Sequence, residues 1–260
     1  MNLPQLQPDA GRSLLLNDNR VVVLLPMKRH SARVPGKNFR SFAGKPLFQW
    51  ILDTLLSLPE IDRIVINTDA RALLEQCGLV DTDRIAIRDR RPELCGDFVS
   101  MNRIIEDDIA AVSSDAYLMT HTTNPLLRPI TIREALRIYG ERVKNGLSDS
   151  LFTVTRHQTR FYKGDGSPLN HDPANLIRTQ DLEPWFEENS NLYIFSRSSF
   201  SGTSARIGRA PYLFETSPGE SVDIDDENGW RMAEALAHYV ARTRSERVES
   251  RVEDASLRDA

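Results

Sequence analysis

Apolar and polar positions along the chain follow two alternating periods. Arg20 to Leu25 (RVVVLL) is a short, continuous, β-branched apolar run stopped by Pro26, the pattern of a strand buried on both faces of a parallel sheet. Beyond a polar stretch, Leu47, Ile51, Leu55 and Leu58 keep helical spacing behind Pro46, a residue suited to a first helical turn. Arg63 to Asn67 (RIVIN) then reads as a strand, Ala70 to Cys77 as a short helix and Arg84 to Arg88 (RIAIR) as a third strand. Met101, Ile104, Ile105, Ile109 and Val112 mark a helix, and Tyr117 to Met119 a strand. Thr131 and Glu134 have the spacing of a capping box at the head of a helix whose buried face would be Ile132, Ala135, Leu136 and Tyr139. Strands and helices alternating at these intervals predict an α/β fold with a doubly wound, mostly parallel sheet and right-handed crossovers.

The rhythm breaks after Ser150 to Thr155 (SLFTVT). Residues 156 to 190 are polar, contain Gly164, Gly166, Pro168, Pro173 and Pro184, and show little periodicity. A stretch this long without periodicity inside a compact domain is usually functional. Asn191 to Ser196 (NLYIFS) restores a strand, Pro211 to Phe214 reads as another, and Trp230, Ala233, Leu236, Ala237 and Val240 mark a last helix. One domain over 20 to 243 follows, flanked by a flexible extension over 1 to 19 and by a charged tail over 244 to 260 that is expected to fray.

Composition removes several function classes. With 27% charged residues and a net charge of −4, the chain lacks the basic excess of a general nucleic-acid binder. Its apolar runs fall far short of the roughly 20 residues of a spanning helix. The first nineteen residues carry acids at Asp9 and Asp18 and no basic leading segment, unlike a secretory signal. Cys77 and Cys95 have no Cys or His at metal spacing, and a reducing cytoplasm is the expected setting.

In an open parallel sheet, ligands bind beyond the carboxyl ends of the strands, so the loops that follow strands hold the candidate chemistry. The loop Leu25 to Asn38 (LPMKRHSARVPGKN) gathers Lys28, Arg29, Arg33 and Lys37, the hydroxyl of Ser31 and a close-approach glycine at Gly36, a mixture suited to a polyphosphate. Read alone, it is equally a solvated basic face. It is not a Walker loop, and no GxGxxG occurs anywhere. Near the other end, Val222-Asp223-Ile224-Asp225 alternates apolar and acidic residues, which in an extended segment aims both carboxylates to one side. Such a pair suits Mg²⁺, which takes one or two carboxylates plus substrate phosphates; an acidic helix N-terminus is the competing explanation. Two weaker loops, Thr120 to Arg128 and Arg91 to Asp97, also follow strands. Of the histidines, His30, His121, His157 and His171 fall in predicted loops and His238 in the last helix, with no metal-ligand spacing among them. There is no G-x-S-x-G elbow of a Ser-His-Asp hydrolase.

Taken in order, these four loops resemble the acylneuraminate cytidylyltransferase family, the CMP-sialic acid synthetases and their relatives acting on other 2-keto sugar acids. Lys28, Ser31 and Pro35-Gly-Lys-Asn38 resemble the family's phosphate loop, and Arg91 to Asp97 with Ser100 resembles its RPxxL...D...S stretch beside the cytosine. Thr122-Thr-Asn-Pro-Leu-Leu-Arg128 looks like its PTSPLR turn, and Ser221 to Asp225 matches its S-[IV]-D-I-D metal motif. The resemblance implies a Rossmann-like nucleotidyltransferase fold, dependence on Mg²⁺, and a homodimer in which an inserted arm, residues 150 to 190, completes the partner's sugar pocket. It implies a CTP site built from Leu25, Pro26, Lys28, Arg29, Ser31, Lys37, Asn38, Arg91, Asp97, Ser100, Thr122 and Asn124. Asp223 and Asp225 would bind the metal and act in catalysis with Lys28 and Lys37. His121, Arg160, Arg178, Gln180 and Asn189 would bind the sugar acid. Three positions depart from the family: Met27-Lys28 stands where arginine is usual, His121 where glutamine is common, and Glu187-Glu188 where an arginine commonly precedes the asparagine. The expected activity is transfer of CMP from CTP to a sialic acid-like sugar. A Kdo-like or phosphonate acceptor, a glycosyltransferase of similar topology and an inactive nucleotide-binding protein are the alternatives.

Overall fold

The computed structural model describes the backbone of residues 20–256 and the side chains of residues 20–243; the extension expected over 1 to 19 lies outside the described residues. Seven strands form the main sheet: β1 (Val21–Leu24), β4 (Arg63–Thr68), β5 (Ile85–Asp89), β6 (Ala116–Thr120), β7 (Ser150–His157), β8 (Trp185–Phe195) and β9 (Pro211–Glu215). Their spatial order is β5-β4-β1-β6-β8-β7-β9, and β8 alone runs against its two neighbours. A two-stranded hairpin, β2 (Ser41–Phe42) with β3 (Lys45–Pro46), stands apart. The helices are α1 (Leu47–Leu56), α2 (Arg71–Gln76), α3 (Met101–Ala111), α4 (Pro129–Lys144), α5 (Arg197–Thr203) and α6 (Glu227–Ser256).

Period-2 alternation divides the sheet between two cores, as a doubly wound sheet requires. Val21 and Val23 of β1, with Leu118 of β6 and Ile194 of β8, pack under α1 and α4 through Ile51, Leu55, Ile132 and Leu136. Val22, Leu24, Tyr117, Met119 and Phe195 face the other way, against Ile105 and Ile109 of α3 and Phe200 of α5. A third cluster gathers Val34, Phe42, Leu47, Ile224, Trp230 and Ala233, joining the loop after β1 and the small hairpin to the last helix.

Four expectations are corrected. The capping box is not formed: α4 begins at Pro129, Thr131 donates its hydroxyl to Glu220 Oε1 at 2.6 Å, and Glu134 pairs with Arg137. The carboxylate at this helix start comes instead from Glu220, which also accepts from the Arg128 amide at 3.0 Å, so a residue remote in sequence serves the positive end of the helix. The insertion is not wholly irregular, because β7 runs on to His157 and β8 begins at Trp185, making the arm a long hairpin; His157 therefore lies in a strand, 2.8 Å from Glu187. At its root the pairing jumps from Phe152↔Tyr193 to Val154↔Glu188, so the intervening residues of β8 bulge out, with Ser190 at φ 59°. The backbone after Arg242 continues α6 to Ser256, and Val240, expected on the buried face, is exposed.

Candidate functional site

The chain travels outward from β1 through β4 to β5 and then returns to β6 on the other side of β1, which puts a topological switch point between β1 and β6. The loops leaving these two strands flank a cleft of about 260 Å³ lined by Pro26, Lys28, Lys37, Asn38, His121 and Thr122, with Arg90 and Asp97 at its other wall.

The first loop is pinned before it turns. Met27 donates its amide to Asn67 O at 2.9 Å, and the Arg29 amide meets Asp69 Oδ1 at 2.6 Å. The Val34 amide donates to Ser31 Oγ at 3.4 Å, and Gly36 takes φ +64°, a left-handed turn that a residue without Cβ adopts at little cost. Asn38, only 6% exposed, then closes the loop on itself: its Nδ2 donates to Lys28 O at 2.7 Å, and its Oδ1 accepts the Thr122 hydroxyl at 2.6 Å. One asparagine thereby fastens the loops after β1 and β6 together.

The cations of this loop are held differently. Lys28 Nζ lies 2.6 Å from Asp97 Oδ1, and this hydrogen bond holds the Asp97 carboxyl below its ordinary pKa. Lys37 is half-buried and donates to Ile224 O at 2.7 Å. Burial lowers its pKa, while the charges of Asp223 and Asp225 oppose that shift. Arg33 pairs with Asp225 at 3.1 Å. The side chain of Arg29 is exposed, and that of Leu25 is buried in the core, so Leu25 borders the site only as backbone.

The acidic segment lies beside these groups outside any strand of the sheet. Ile224 is fully buried in the third cluster with Val222 packed against it, the arrangement expected from the alternation. The Ile224 amide donates to Thr123 O at 3.0 Å, seating the acids against the turn after β6. Burial raises the pKa of Asp223, as does the charge of Asp225, against a hydrogen bond with Thr123. Its Oδ1 is buried with no hydrogen-bond partner. A desolvated carboxylate oxygen left over near a second carboxylate could hold a cation. Among the described residues no group of three or more His, Cys, Asp and Glu gathers as a metal cage, so any metal here would complete its shell with ligand oxygens and water.

The remaining expected residues divide. Arg91 turns away from the cleft to Asp107, 3.0 Å distant. Arg90 enters instead, with Nε on Asn67 Oδ1 at 2.9 Å and Nη2 on Asn67 O at 2.8 Å, and burial lowers its pKa. Ser100 is the N-cap residue of α3 without a side-chain cap bond, and Asn124 is fully buried with neither amide atom partnered. Asn189 spends its amide on Thr155 Oγ1, Thr216 Oγ1 and Ser221 Oγ at 3.1, 2.7 and 3.3 Å, tying the arm's root to the segment ahead of the acids. Arg160 bonds Ile177 O at 2.6 Å, Arg178 pairs with Asp181 at 2.7 Å, and Gln180 is exposed; all three belong to the arm, and none lines this cleft. Arg90 was legible in principle, since it continues the period of Arg88 on a strand face that meets α3. Arg206, which reaches His121 from the loop before β9, carries no local signal in the sequence.

Known proteins share this architecture and sequence. Residues 22–250 match the cytidylyltransferase family model. The chain is 29% identical over 222 residues to N-acylneuraminate cytidylyltransferase of Oncorhynchus mykiss, a match covering 82% of this chain and 49% of that protein. It is 27% identical to CMP-N,N'-diacetyllegionaminic acid synthase of Legionella pneumophila, over 84% of this chain and 96% of that one. It thus spans about half the length of the trout relative and nearly all of the bacterial one. A solved CMP:2-keto-3-deoxy-manno-octonic acid synthetase complexed with CTP shares the fold, with TM-score 0.61 at 15% identity over 85% of this chain and 99% of that chain. With the switch-point cleft in place and nearly the full described length matched, the chain belongs to the cytidylyltransferase family.

Proposed function

We propose that this chain transfers CMP from CTP to the anomeric hydroxyl of a 2-keto-3-deoxy sugar acid and releases pyrophosphate. The observation that carries the reading is the meeting of Lys28, Lys37, Asn38 and Thr122 in one switch-point cleft, with the partnerless oxygen of Asp223 beside it. The relatives whose names refer to acylneuraminate and legionaminic acid support a sialic acid-like acceptor.

In this reading the triphosphate lies along the loop after β1. Lys28 exchanges Asp97 for a phosphate oxygen, and Lys37, anchored on the Ile224 carbonyl, supplies charge from a fixed position. Asp223 and Asp225 would hold Mg²⁺, a hard cation matched by two carboxylates and phosphate oxygens. When bound, the ion neutralises phosphate charge and lowers the pKa of a nearby hydroxyl. The anomeric oxygen bonds to the α-phosphorus as the bond from that phosphorus to the bridging oxygen breaks; pyrophosphate leaves and the hydroxyl proton passes to solvent. Catalysis is then electrostatic positioning, with no covalent enzyme intermediate.

The acceptor lies toward His121, and the arm serves a second copy of the chain. Leu176, Ile177, Trp185 and Phe186 are 67%, 44%, 37% and 43% exposed on the arm, an apolar surface suited to a homodimer partner. Arg178 and Gln180 would reach a sugar only across that contact. A cytoplasmic setting supplies the CTP.

The test is pyrophosphate release from CTP with a panel of N-acetylneuraminate, legionaminate, pseudaminate and Kdo. The expected result is Mg²⁺-dependent release with at least one acid and a loss of about 100-fold or more in Asp223→Ala. No release with any sugar acid would refute the reaction, and full Mg²⁺-dependent turnover in Asp223→Ala would refute the metal assignment.

A further inference from the structure

Arg206 lies in the loop between α5 and β9, and its side chain is only 19% exposed. Four groups converge on its guanidinium. Nη2 pairs with Glu188 Oε1 at 3.1 Å, and Cζ stands 3.8 Å from the centroid of the Tyr193 ring. Nη1 faces Met119 Sδ at 3.8 Å and His121 Nε2 at 3.5 Å. The Tyr193 hydroxyl donates to the same Glu188 oxygen, so the carboxylate that holds Arg206 is itself held. Stacked on a ring and paired at one end, the guanidinium points its free edge at His121 from a fixed place.

A guanidinium has five donors, no acceptor and no accessible neutral form. A hydrogen bond in this contact therefore requires His121 Nε2 to accept, which puts the single ring proton on Nδ1. Burial first, then the charges of Arg206 and Lys37, pushes the imidazole pKa down to about 3, so the ring is neutral at physiological pH. The charged groups facing it from the packed elements are Arg206 with Glu188 behind, and Lys28, Lys37, Arg90 and Asp97 across the cleft. A histidine whose Nε2 is occupied and whose conjugate acid is this strong makes a poor base for the attacking hydroxyl.

We infer that Arg206 is a positioning residue that fixes His121 as the Nδ1–H tautomer, so that His121 offers the acceptor sugar acid a neutral hydrogen-bond donor at the edge of the nucleotide cleft. The identity of the acceptor rests on the proposed function; the tautomer does not. Specificity follows from the arrangement: a donor that stays neutral at physiological pH selects an acceptor oxygen by position, while Glu188 keeps the guanidinium from moving forward to take an anion itself.

Imidazole nitrogen NMR on the whole, ligand-free chain tests the first half, with His121→Asn used to assign the signal. In the wild type, His121 is expected to show a protonated Nδ1 and a bare Nε2 across the neutral pH range. In Arg206→Met the ring should shift toward Nε2–H, and Arg206→Lys, which keeps a donor, should return it toward Nδ1–H. In steady-state kinetics, Arg206→Met should raise KM for the sugar acid about 10-fold, the equivalent of one lost hydrogen bond, with KM for CTP changed less than about 2-fold. A wild-type His121 protonated on Nε2, unchanged imidazole signals in Arg206→Met, or equal rises in both KM values would overturn the inference. If Arg206→Met does not fold, the wild-type tautomer and Arg206→Lys decide it. Absence of turnover with every sugar acid would sink the proposed reaction while leaving the nitrogen signals to judge the Arg206 contact.

Discussion

His121 shows how little a residue's type says about its chemistry until its neighbours are known. In the sequence it is a histidine after a strand; in the fold it lines the cleft beside Arg206 and Lys37 and is neutral. Its ordinary pKa of 6.5 falls to about 3 on folding, so the folded state binds fewer protons than the unfolded one between those values. The stability this ring contributes is therefore complete above pH 6.5 and lost as pH falls toward 3, at up to about 1.4 kcal/mol per pH unit. Urea unfolding over that range should show wild-type stability falling more steeply than that of His121→Gln, and parallel curves would mean that the ring titrates normally. Arg91 teaches the converse lesson. Adjacent arginines look interchangeable in a motif, yet strand geometry sends Arg90 into the cleft and Arg91 to Asp107.

At the scale of elements, the loop that carries Arg206 owes its shape to Asp149. Burial raises the Asp149 pKa, but hydrogen bonds from the Arg209 and Ala210 amides outweigh it and hold the carboxyl below its ordinary range. Gly208 passes so close that a Cβ there would sit 2.2 Å from Asp149 Oδ1 and 2.4 Å from Ser199 Oγ. Gly208→Ala is expected to cost about 1–3 kcal/mol in denaturant unfolding through this overpacking, and wild-type stability would show that the Asp149 cradle yields without loss. The strands of the parallel half and helices α1 to α4 were legible because each carries its own apolar period. The small hairpin, the bulge in β8 and the start of α4 were not, since two-residue strands have no period and the other two depend on partners far away in sequence. For the same reason the basic loop after β1 and the paired acids could be read as motifs, while the Glu188–Arg206–His121 chain could not.

At the scale of the molecule, the arm is a long hairpin on which Leu176, Ile177, Trp185 and Phe186 stay exposed among the described residues. Sedimentation equilibrium is expected to find a dimer for the wild type and a monomer for the Leu176→Asp, Phe186→Asp double variant. A wild-type monomer at all concentrations would separate the arm from assembly. The other large-scale feature is the joining of early and late chain: Lys37 to the Ile224 carbonyl, Arg40 to Glu227 and onto the Trp230 ring, and the Ala43 amide to Glu234. Protein synthesis runs from the first of these partners to the second. The loop around Lys37 leaves the ribosome early and then waits while 187 further positions are translated before the Ile224 carbonyl exists for it to bind. A growing chain therefore has no finished version of the proposed phosphate site to fill, and a message broken ahead of codon 223 yields a fragment lacking both the acids and the anchor. Completion of the proposed nucleotide site therefore waits on a segment made long after the loop that it closes.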